Sequence, residues 1–184
     1  MKVLVIVDVQ NDFVSGSLGT KEAQAIIPKV VEKINTLPEG SMIVQTFDTH
    51  TKTYLNTFEG KRLPVEHCIY NTFGHKAPHE VIKACNDNIF TTYTIMKNKF
   101  GSEEVLEAVR HCCHWRSIIN YDEDLEIEVI GLCTDICVIS NVLLLRMAFP
   151  STPITVDSAC CAGTTPEKHA AALEVMKSCM IDVI

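Results

Sequence analysis

The stretch EIEVIGLCTDICVISNVLLL, residues 126–145, decides the fold of this chain. It begins as a β-branched apolar run of the kind that forms a strand buried on both faces. The run stops at Gly131, and Cys133 and Cys137 then flank a polar Thr-Asp pair before a second apolar segment begins. Open α/β sheets place ligands and nucleophiles at breaks of this kind, where a strand leads into a helix. The stretch therefore predicts a buried strand, a functional turn and a helix.

Strand-like and helix-like segments alternate along the whole chain. Strands are predicted at residues 3–9, 41–47, 88–96, 126–132, 153–159 and 180–184. Helices are predicted at residues 22–37, 79–85, 102–113, 135–148 and 165–179. Parallel strands joined by crossover helices form a doubly wound sheet. We therefore expect an α/β fold: one three-layer α/β/α domain spanning residues 1–184, with a six-stranded parallel, Rossmann-like sheet.

Composition and charge exclude several classes of function. The 184 residues are 47% hydrophobic and 21% charged, which is ordinary usage for one globular domain. The formal net charge is −7, and no basic cluster extends beyond Lys97 and Lys99, so nucleic acid is not an expected partner. No apolar run approaches the ~20 residues of a membrane span, and no signal-peptide core is present, which predicts a cytoplasmic protein without a membrane partner. The nine cysteines are an odd number, and we expect reduced thiols.

Residues that can carry chemistry follow four of the predicted strands. They are Asp8, Asp48 with His50, Lys97, and Cys133 with Cys137. The carboxyl ends of parallel strands converge on one crevice, so these side chains are expected to meet. A lone cysteine in an apolar context is usually a small buried hydrophobe, and only the joint placement of the four groups favours a catalytic site.

Cys137 is the favoured nucleophile. It lies in the first turn of a predicted helix, where unpaired backbone N–H groups and the helix dipole favour a thiolate. A buried Asp8 with a raised pKa, beside Lys97, would accept the thiol proton. Cys133 is the alternative nucleophile, but its place on the strand side of the turn suits its backbone N–H to binding an oxyanion.

Three segments of the chain resemble one known superfamily. VIVDVQNDF with Asp8, IMKNKFGS with Lys97 and GLCTDICV with Cys137 are similar to the signature segments of the isochorismatase-like cysteine hydrolases, which include nicotinamidases. The resemblance extends over nearly the whole chain in the same order. It implies a catalytic triad of Asp8, Lys97 and Cys137 and a cis peptide bond before Cys133. It also implies an oxyanion hole formed by the backbone N–H groups of Cys133 and Cys137.

The resemblance also selects among neighbouring residues. Strand alternation alone would point Lys97 and Lys99 the same way, but the family pattern Lys-x-x-Phe/Tyr is met by Lys97 and Phe100. Phe13 matches a position that lines the substrate pocket in relatives. We therefore expect Phe13 and Phe100 to bind substrate, although ordinary core packing is the alternative for Phe13.

The loop after the second strand holds a candidate metal site. Asp48, His50 and His67 supply hard oxygen and borderline nitrogen ligands suited to a divalent metal such as Zn²⁺, Mn²⁺ or Fe²⁺. The resemblance to nicotinamidases implies a comparable set, with the metal holding the pyridine nitrogen of the substrate. Many relatives have one more histidine where this chain has Asn56, and Glu59 would fill that place. Without a metal the two histidines would be loop-packing residues, and no organic cofactor is expected in either case.

The leading hypothesis is cysteine-dependent hydrolysis of a small amide to an acid and ammonia through a thioester, with nicotinamide as the best named substrate. Alternatives are another small carbamoyl compound, an isochorismate-like vinyl ether, or a non-catalytic binding member of the fold. The vinyl ether reaction needs no cysteine nucleophile, so Cys137 favours amide chemistry. Three ionisable groups at one crevice argue against a scaffold. The expected partners are a small-molecule amide and, as in relatives, further copies of the chain in a homo-oligomer.

Overall fold

A single parallel sheet organises the chain. The computed structural model describes residues 1–88, 90–115 and 125–184. Its six strands have the order β3-β2-β1-β4-β5-β6. Their bounds are Lys2–Val7 (β1), Met42–Asp48 (β2), Thr91–Lys97 (β3), Glu126–Leu132 (β4), Ile154–Ala162 (β5) and Asp182–Val183 (β6). All neighbouring strands run parallel, which confirms the predicted doubly wound fold.

Helices connect the strands and cover both faces of the sheet. Their bounds are Asn11–Val14 (α1), Lys21–Asn35 (α2), His79–Asp87 (α3), Glu103–Trp115 (α4), Ile139–Ala148 (α5) and Pro166–Ser178 (α6). The hydroxyl groups of Thr20 and Thr165 accept the backbone N–H groups three residues on and cap α2 and α6. Within the described part of the chain, no helix combines the length and hydropathy needed to span a bilayer.

The core lies around β1 and β4, the two central strands. Side chains 3–7 of β1 are all at most 2% exposed, as the uninterrupted apolar run predicts. Gly131 interrupts the matching run in β4 for a steric reason. It has a φ of +128°, and a Cβ atom there would collide with the carbonyl oxygen of Val7. Only glycine permits this conformation and this close approach of the two strands.

Several predicted boundaries differ from the structure. Strand β1 ends at Val7 rather than at residue 9, because Asp8 leaves the strand with a φ of +49°. The helix predicted from residue 135 begins as a π-helical turn, Thr134–Val138, before α5. Short elements without a long period, α1 and the 3₁₀ turn Tyr54–Asn56, were not predicted. The predicted strand 88–96 includes residue 89, which lies outside the described residues.

A charged cluster stabilises the amino-terminal edge of the sheet. The Glu128 carboxylate, 2% exposed, lies 2.6 Å from the Lys2 ammonium and 2.7 Å from that of Lys33. Lys33 also lies 2.8 Å from Asp157, at the side of a cavity of about 300 Å³. Burial raises the pKa of Asp157, but its hydrogen bond to Lys33 outweighs burial and lowers the pKa below its ordinary value. This cavity lies at the amino-terminal end of the strands, whereas Asp8 and Cys137 follow their carboxyl-terminal ends.

Replacing Asp157 with Asn tests this cluster. A carboxyl group whose pKa is lowered by folding contributes stability above its unfolded pKa of about 3.9, and that contribution is lost as pH falls through the folded value. We expect Asp157→Asn to lower the free energy of unfolding by about 1 kcal/mol at pH 7, because solvent screening reduces the effect of this partly exposed ion pair below that of a buried charged hydrogen bond. Urea denaturation at pH 7, 5, 4 and 3 should show the difference shrinking below about pH 4. A difference that stays constant down to pH 3 would contradict this explanation.

Candidate active site

Asp8, Lys97 and Cys137 meet at the carboxyl end of the sheet. The Lys97 Nζ atom lies 2.5 Å from Asp8 Oδ2 and 3.7 Å from Cys137 Sγ. The other carboxylate oxygen of Asp8 accepts the Thr46 hydroxyl at 2.7 Å. Strand β2 lies between β1 and β3, so the long lysine side chain spans one strand to reach Asp8. The structure therefore brings together the three residues that the sequence placed at separate strand ends.

Burial dominates the electrostatics of the three groups. Asp8 is 0%, Lys97 4% and Cys137 7% exposed. Burial and the charge of Asp48 raise the pKa of Asp8, and the ammonium of Lys97 only partly offsets this. Burial and the Asp8 carboxylate also raise the pKa of Cys137, against the lowering effect of Lys97. The expected preference for a thiolate at the helix start is thus outweighed, and the resting group is a thiol that needs a base.

The turn that carries Cys137 is held by backbone bonds at its start. The carbonyl oxygen of Cys133 accepts the N–H groups of both Ile136 and Val138, each at 3.1 Å. The Leu132–Cys133 peptide bond is cis, as the resemblance implies. Burial, with the charge of Asp135 next, raises the pKa of Cys133 to about 12, so its thiol is not ionised near neutral pH.

The same turn is fastened to the loop after β5. The Asp135 carboxylate accepts the Thr164 N–H at 2.8 Å and its hydroxyl at 2.6 Å. The Thr134 hydroxyl lies 2.8 Å from His169 Nδ1 on α6. The polar pair Thr134 and Asp135 therefore anchors the turn that lies between the two cysteines.

Asp48, His50 and His67 form a buried cluster of side chains that is a candidate metal site. Their ligand atoms lie within 4.8 Å of one another. Asp48 Oδ2 is 3.0 Å from His50 Nε2 and 3.3 Å from His67 Nε2. Glu59 Oε1 lies 3.9 Å and 3.8 Å from the same two nitrogen atoms. The structure thus groups three of the four predicted ligands, and Glu59 lies at the border of that cluster.

The chemistry of these donors fits a divalent metal. His50 Nε2 is buried and, among the described residues, no partner meets it with hydrogen-bond geometry, although Asp48 Oδ2 lies 3.0 Å away. His67 Nδ1 lies 2.8 Å from the Val65 carbonyl, which only accepts, so Nδ1 carries the hydrogen and Nε2 of the neutral ring keeps its lone pair. Burial raises the pKa of Asp48, but His50 and His67 outweigh it and hold the carboxyl ionised. Two imidazole nitrogens and one or two carboxylates are a ligand set that suits Zn²⁺, Mn²⁺ or Fe²⁺.

Three residues that shape the site were missed from the sequence. The fully buried Gln10 side chain accepts the Asp48 N–H at 2.7 Å and donates to the Asp48 carbonyl at 2.8 Å. The Tyr54 ring lies 4.6 Å and 4.9 Å from the His50 and His67 rings. His75 is buried, and its Nε2 atom lies 2.9 Å from the Thr49 hydroxyl oxygen. A glutamine two residues after a catalytic aspartate was the one available signal.

The two predicted substrate-binding aromatics have different surroundings. Phe13 is 8% exposed, and its ring centroid lies 5.5 Å from that of His67, beside the metal-binding cluster. Phe100 is 49% exposed, and its backbone carbonyl accepts the side-chain amide of Asn141. Phe13 therefore borders the cluster, whereas the ring of Phe100 is half open to solvent.

Comparison with known proteins places the chain in a family. The Isochorismatase domain profile matches residues 2–184. The chain belongs to the isochorismatase family. The nicotinamidase/pyrazinamidase of Mycobacterium tuberculosis is 25% identical over 188 residues, covering 100% of this chain and 98% of that protein. The nicotinamidase of Schizosaccharomyces pombe is 26% identical over 215 residues, covering 98% of this chain and 91% of that protein.

Solved structures of the isochorismatase family share the fold. A nicotinamidase from Bacillus subtilis has 24% identity and a TM-score of 0.78, with 99% of this chain and 98% of that chain covered. The pyrazinamidase of Pyrococcus horikoshii, solved in complex with zinc, has 24% identity and a TM-score of 0.74, with 100% and 98% covered. The resemblance predicted from the three sequence segments is confirmed.

The two neighbouring lysines allow a direct test of the electrostatics. Lys97 contacts the Cys137 sulfur, whereas the exposed Lys99 forms an ion pair with Glu103 after β3 has ended. Losing the ammonium at position 97 removes the charge that lowers the thiol pKa. We expect Lys97→Met to move the pH profile of iodoacetamide alkylation at Cys137 upward by about 1 to 3 pH units. Mass spectrometry of the Cys137 peptide measures the alkylation.

Lys99→Met is the matched control and should leave this profile in place. A shift in the Lys99 variant with none in the Lys97 variant would mean that the wrong lysine has been assigned to the site.

Proposed function

We propose that this protein is a cysteine-dependent hydrolase of a small amide, and that nicotinamide is its best candidate substrate. The observation that carries the proposal is the buried contact of Asp8, Lys97 and Cys137. Its family and its two curated relatives support hydrolysis of an amide C–N bond. A binding scaffold would have no reason to bury an ion pair against a thiol, since burying charges costs free energy.

The first half of the reaction forms a thioester. Asp8, which contacts the same Lys97 ammonium as the Cys137 sulfur, takes the thiol proton as the sulfur attacks the amide carbonyl carbon. Backbone N–H groups of Cys133 and Cys137 stabilise the negative charge that develops on the carbonyl oxygen. Asp8 then returns the proton to the leaving nitrogen, and the C–N bond breaks to release ammonia.

The second half of the reaction frees the acid. A water molecule attacks the thioester carbonyl while Asp8 accepts one of its protons. The C–S bond then breaks, and Asp8 passes that proton to the leaving sulfur, which restores the Cys137 thiol. Lys97 keeps its proton throughout, because the neighbouring charges of Asp8 and Cys137 more than offset the effect of burial and raise its pKa. Its role is to hold the carboxylate in place and to stabilise the anionic sulfur. A raised pKa suits Asp8 to both accepting and returning a proton.

A divalent ion would be held by Asp48, His50, His67 and Glu59. When bound, it would supply a Lewis-acidic attachment point for a nitrogen donor of the substrate, such as a pyridine ring nitrogen. The chain itself provides the neighbouring apolar wall through Phe13, and we assign Phe100 to the outer, solvent-facing side of the substrate pocket. An aromatic amide fits a site that has an apolar side wall and a thiol at its base.

The decisive experiment compares two cysteines in the same turn. We expect Cys137→Ala to abolish ammonia release from nicotinamide, because no nucleophile remains. Cys133→Ala should retain activity within about tenfold, since Cys133 contributes its backbone N–H and that group is unchanged. Ammonia release is measured on nicotinamide, pyrazinamide and small N-carbamoyl compounds, with folding checked by circular dichroism.

Two results would contradict the proposal. Equal loss in both folded cysteine variants would remove Cys137 from its assigned role. Wild-type protein that releases no ammonia from any amide in the panel would favour a non-catalytic member of the family.

The metal assignment has its own test. Metal-reconstituted protein should hold one divalent ion per chain after dialysis, and His50→Ala should weaken binding by more than about 100-fold, because changes beyond the ligands alone cost ~10–100-fold. The control is His79→Ala, because His79 is an exposed histidine on α3. This variant should bind the metal like wild type. Isothermal titration with Zn²⁺ and Mn²⁺ measures the affinity. Unchanged binding in His50→Ala, or full activity after exhaustive chelation, would contradict the assignment.

Three further sequence-based expectations stay predictions. They are that residues 1–184 act as one domain, that the protein is cytoplasmic, and that it assembles as a homo-oligomer.

A further inference from the structure

Asn141 on α5 links two separate segments of the chain. Its side chain is 0% exposed. The amide nitrogen donates to the Cys137 carbonyl at 2.8 Å and to the Phe100 carbonyl at 3.2 Å. The amide oxygen accepts the Ser102 N–H at 3.1 Å. One side chain thereby satisfies three backbone groups.

The two linked segments are those that carry the lysine and the cysteine. Phe100 lies three residues after Lys97 at the end of β3, and Cys137 lies one helical turn before Asn141. The segments also touch closely, since a Cβ atom at Gly101 would lie 2.8 Å from Leu144 Cδ1 and 3.3 Å from Ser140 Cβ. The missing side chain at Gly101 lets the segment after β3 pack closely against α5. The hydrogen bonds of Asn141 fix how the two segments are aligned, because they require particular distances and angles.

We propose that Asn141 is a positioning residue that sets the spacing between the Lys97 ammonium and the Cys137 sulfur. Its effect on catalysis rests on the function proposed above, whereas its effect on the spacing does not. Lys97 and Cys137 lie on β3 and on the turn after β4, which are separated in the sheet by β2 and β1. The sheet ladder therefore does not join the two segments directly, and Asn141 supplies the direct polar connection.

The interaction between the Lys97 ammonium and the Cys137 sulfur is sensitive to small displacements. The 3.7 Å contact between ammonium and sulfur is at the outer limit of a hydrogen bond to sulfur, so a small displacement loses it. Misplacing a reacting group by about 1 Å can cost on the order of 100-fold in rate. Loss of the three bonds of Asn141 releases the segment after β3 from α5, and the lysine moves with that segment.

The test compares Asn141→Leu with a neighbouring control. Leucine keeps the approximate volume but cannot make the three bonds. Ser140→Ala removes a bond of similar kind, from the Ser140 hydroxyl to the Ile136 carbonyl at 2.6 Å, but that bond stays within one segment. The readout is the midpoint pH of iodoacetamide alkylation at Cys137, whose sulfur is influenced by Asp8, Lys97 and Asp48. None of these charged groups is altered in either variant.

We expect Asn141→Leu to raise the midpoint by a smaller amount than Lys97→Met does, and Ser140→Ala to leave it unchanged. In the double variant, Asn141→Leu and Lys97→Met together should give the midpoint of Lys97→Met alone, because the asparagine acts through the lysine. Additive shifts, or no shift in Asn141→Leu, would overturn the proposal. If thermal unfolding shows that Asn141→Leu does not fold, Asn141→Ala replaces it with the same expected outcomes.

Steady-state kinetics separate this proposal from the function on which it rests. With an active wild type, Asn141→Leu should lower kcat on the order of 10-fold, whereas a change confined to KM would trace to the Phe100 ring on the released segment and not to the lysine. An unchanged kcat in the folded variant would overturn the catalytic part of the proposal. A wild type without amidase activity would refute the proposed function, while the alkylation midpoint would still decide whether Asn141 sets the spacing.

Discussion

The buried ion pair of Asp8 and Lys97 is the interaction on which the rest of the structure depends. Moving two charges out of water costs several kcal/mol per ion, and only good geometry with further hydrogen bonds offsets that cost. The pair has both: a 2.5 Å contact between the charges, and the Thr46 hydroxyl on the second carboxylate oxygen. Removing either partner would leave an uncompensated charge inside the protein. The Cys137 thiol therefore lies beside a strong local field that the fold must maintain.

The doubly wound sheet provides the buried environment in which this ion pair forms. Central strands β1 and β4 are buried, and the side chains of Asp8, Lys97 and Cys137 beyond the strand ends are at most 7% exposed. The long loop after β2 returns His67 and Glu59 to the strand end that carries Asp48 and His50. Gln10 connects the ends of β1 and β2, because it lies two residues after Asp8 and its side chain hydrogen-bonds to the backbone of Asp48. The Asp8 strand end and the cluster of Asp48, His50 and His67 are thus joined by direct hydrogen bonds.

The outcome of the sequence analysis follows from which interactions are local. The buried strands could be predicted because burial on both faces imposes a continuous apolar run, as in residues 3–7. The meeting of Asp8, Lys97 and Cys137 could be predicted because parallel strand ends converge, and the family resemblance separated Lys97 from Lys99 where alternation could not. Gln10, Tyr54 and His75 were missed because their roles depend on partners tens of residues away, which no local period records. The π-helical turn before α5 was read as ordinary helix because both have the same apolar pattern.

Gly131 shows how a residue without a side chain can limit the chemistry of the site. It pairs with Val7, the residue immediately before Asp8, and stands two residues before Cys133. The distance between the strand that carries Asp8 and the strand that leads to Cys137 is therefore set by contact between the two backbones. Any side chain at this position would force the two strands apart at the point where both end. A substitution of Gly131 would therefore lower the measured activity, although no reacting group had been altered.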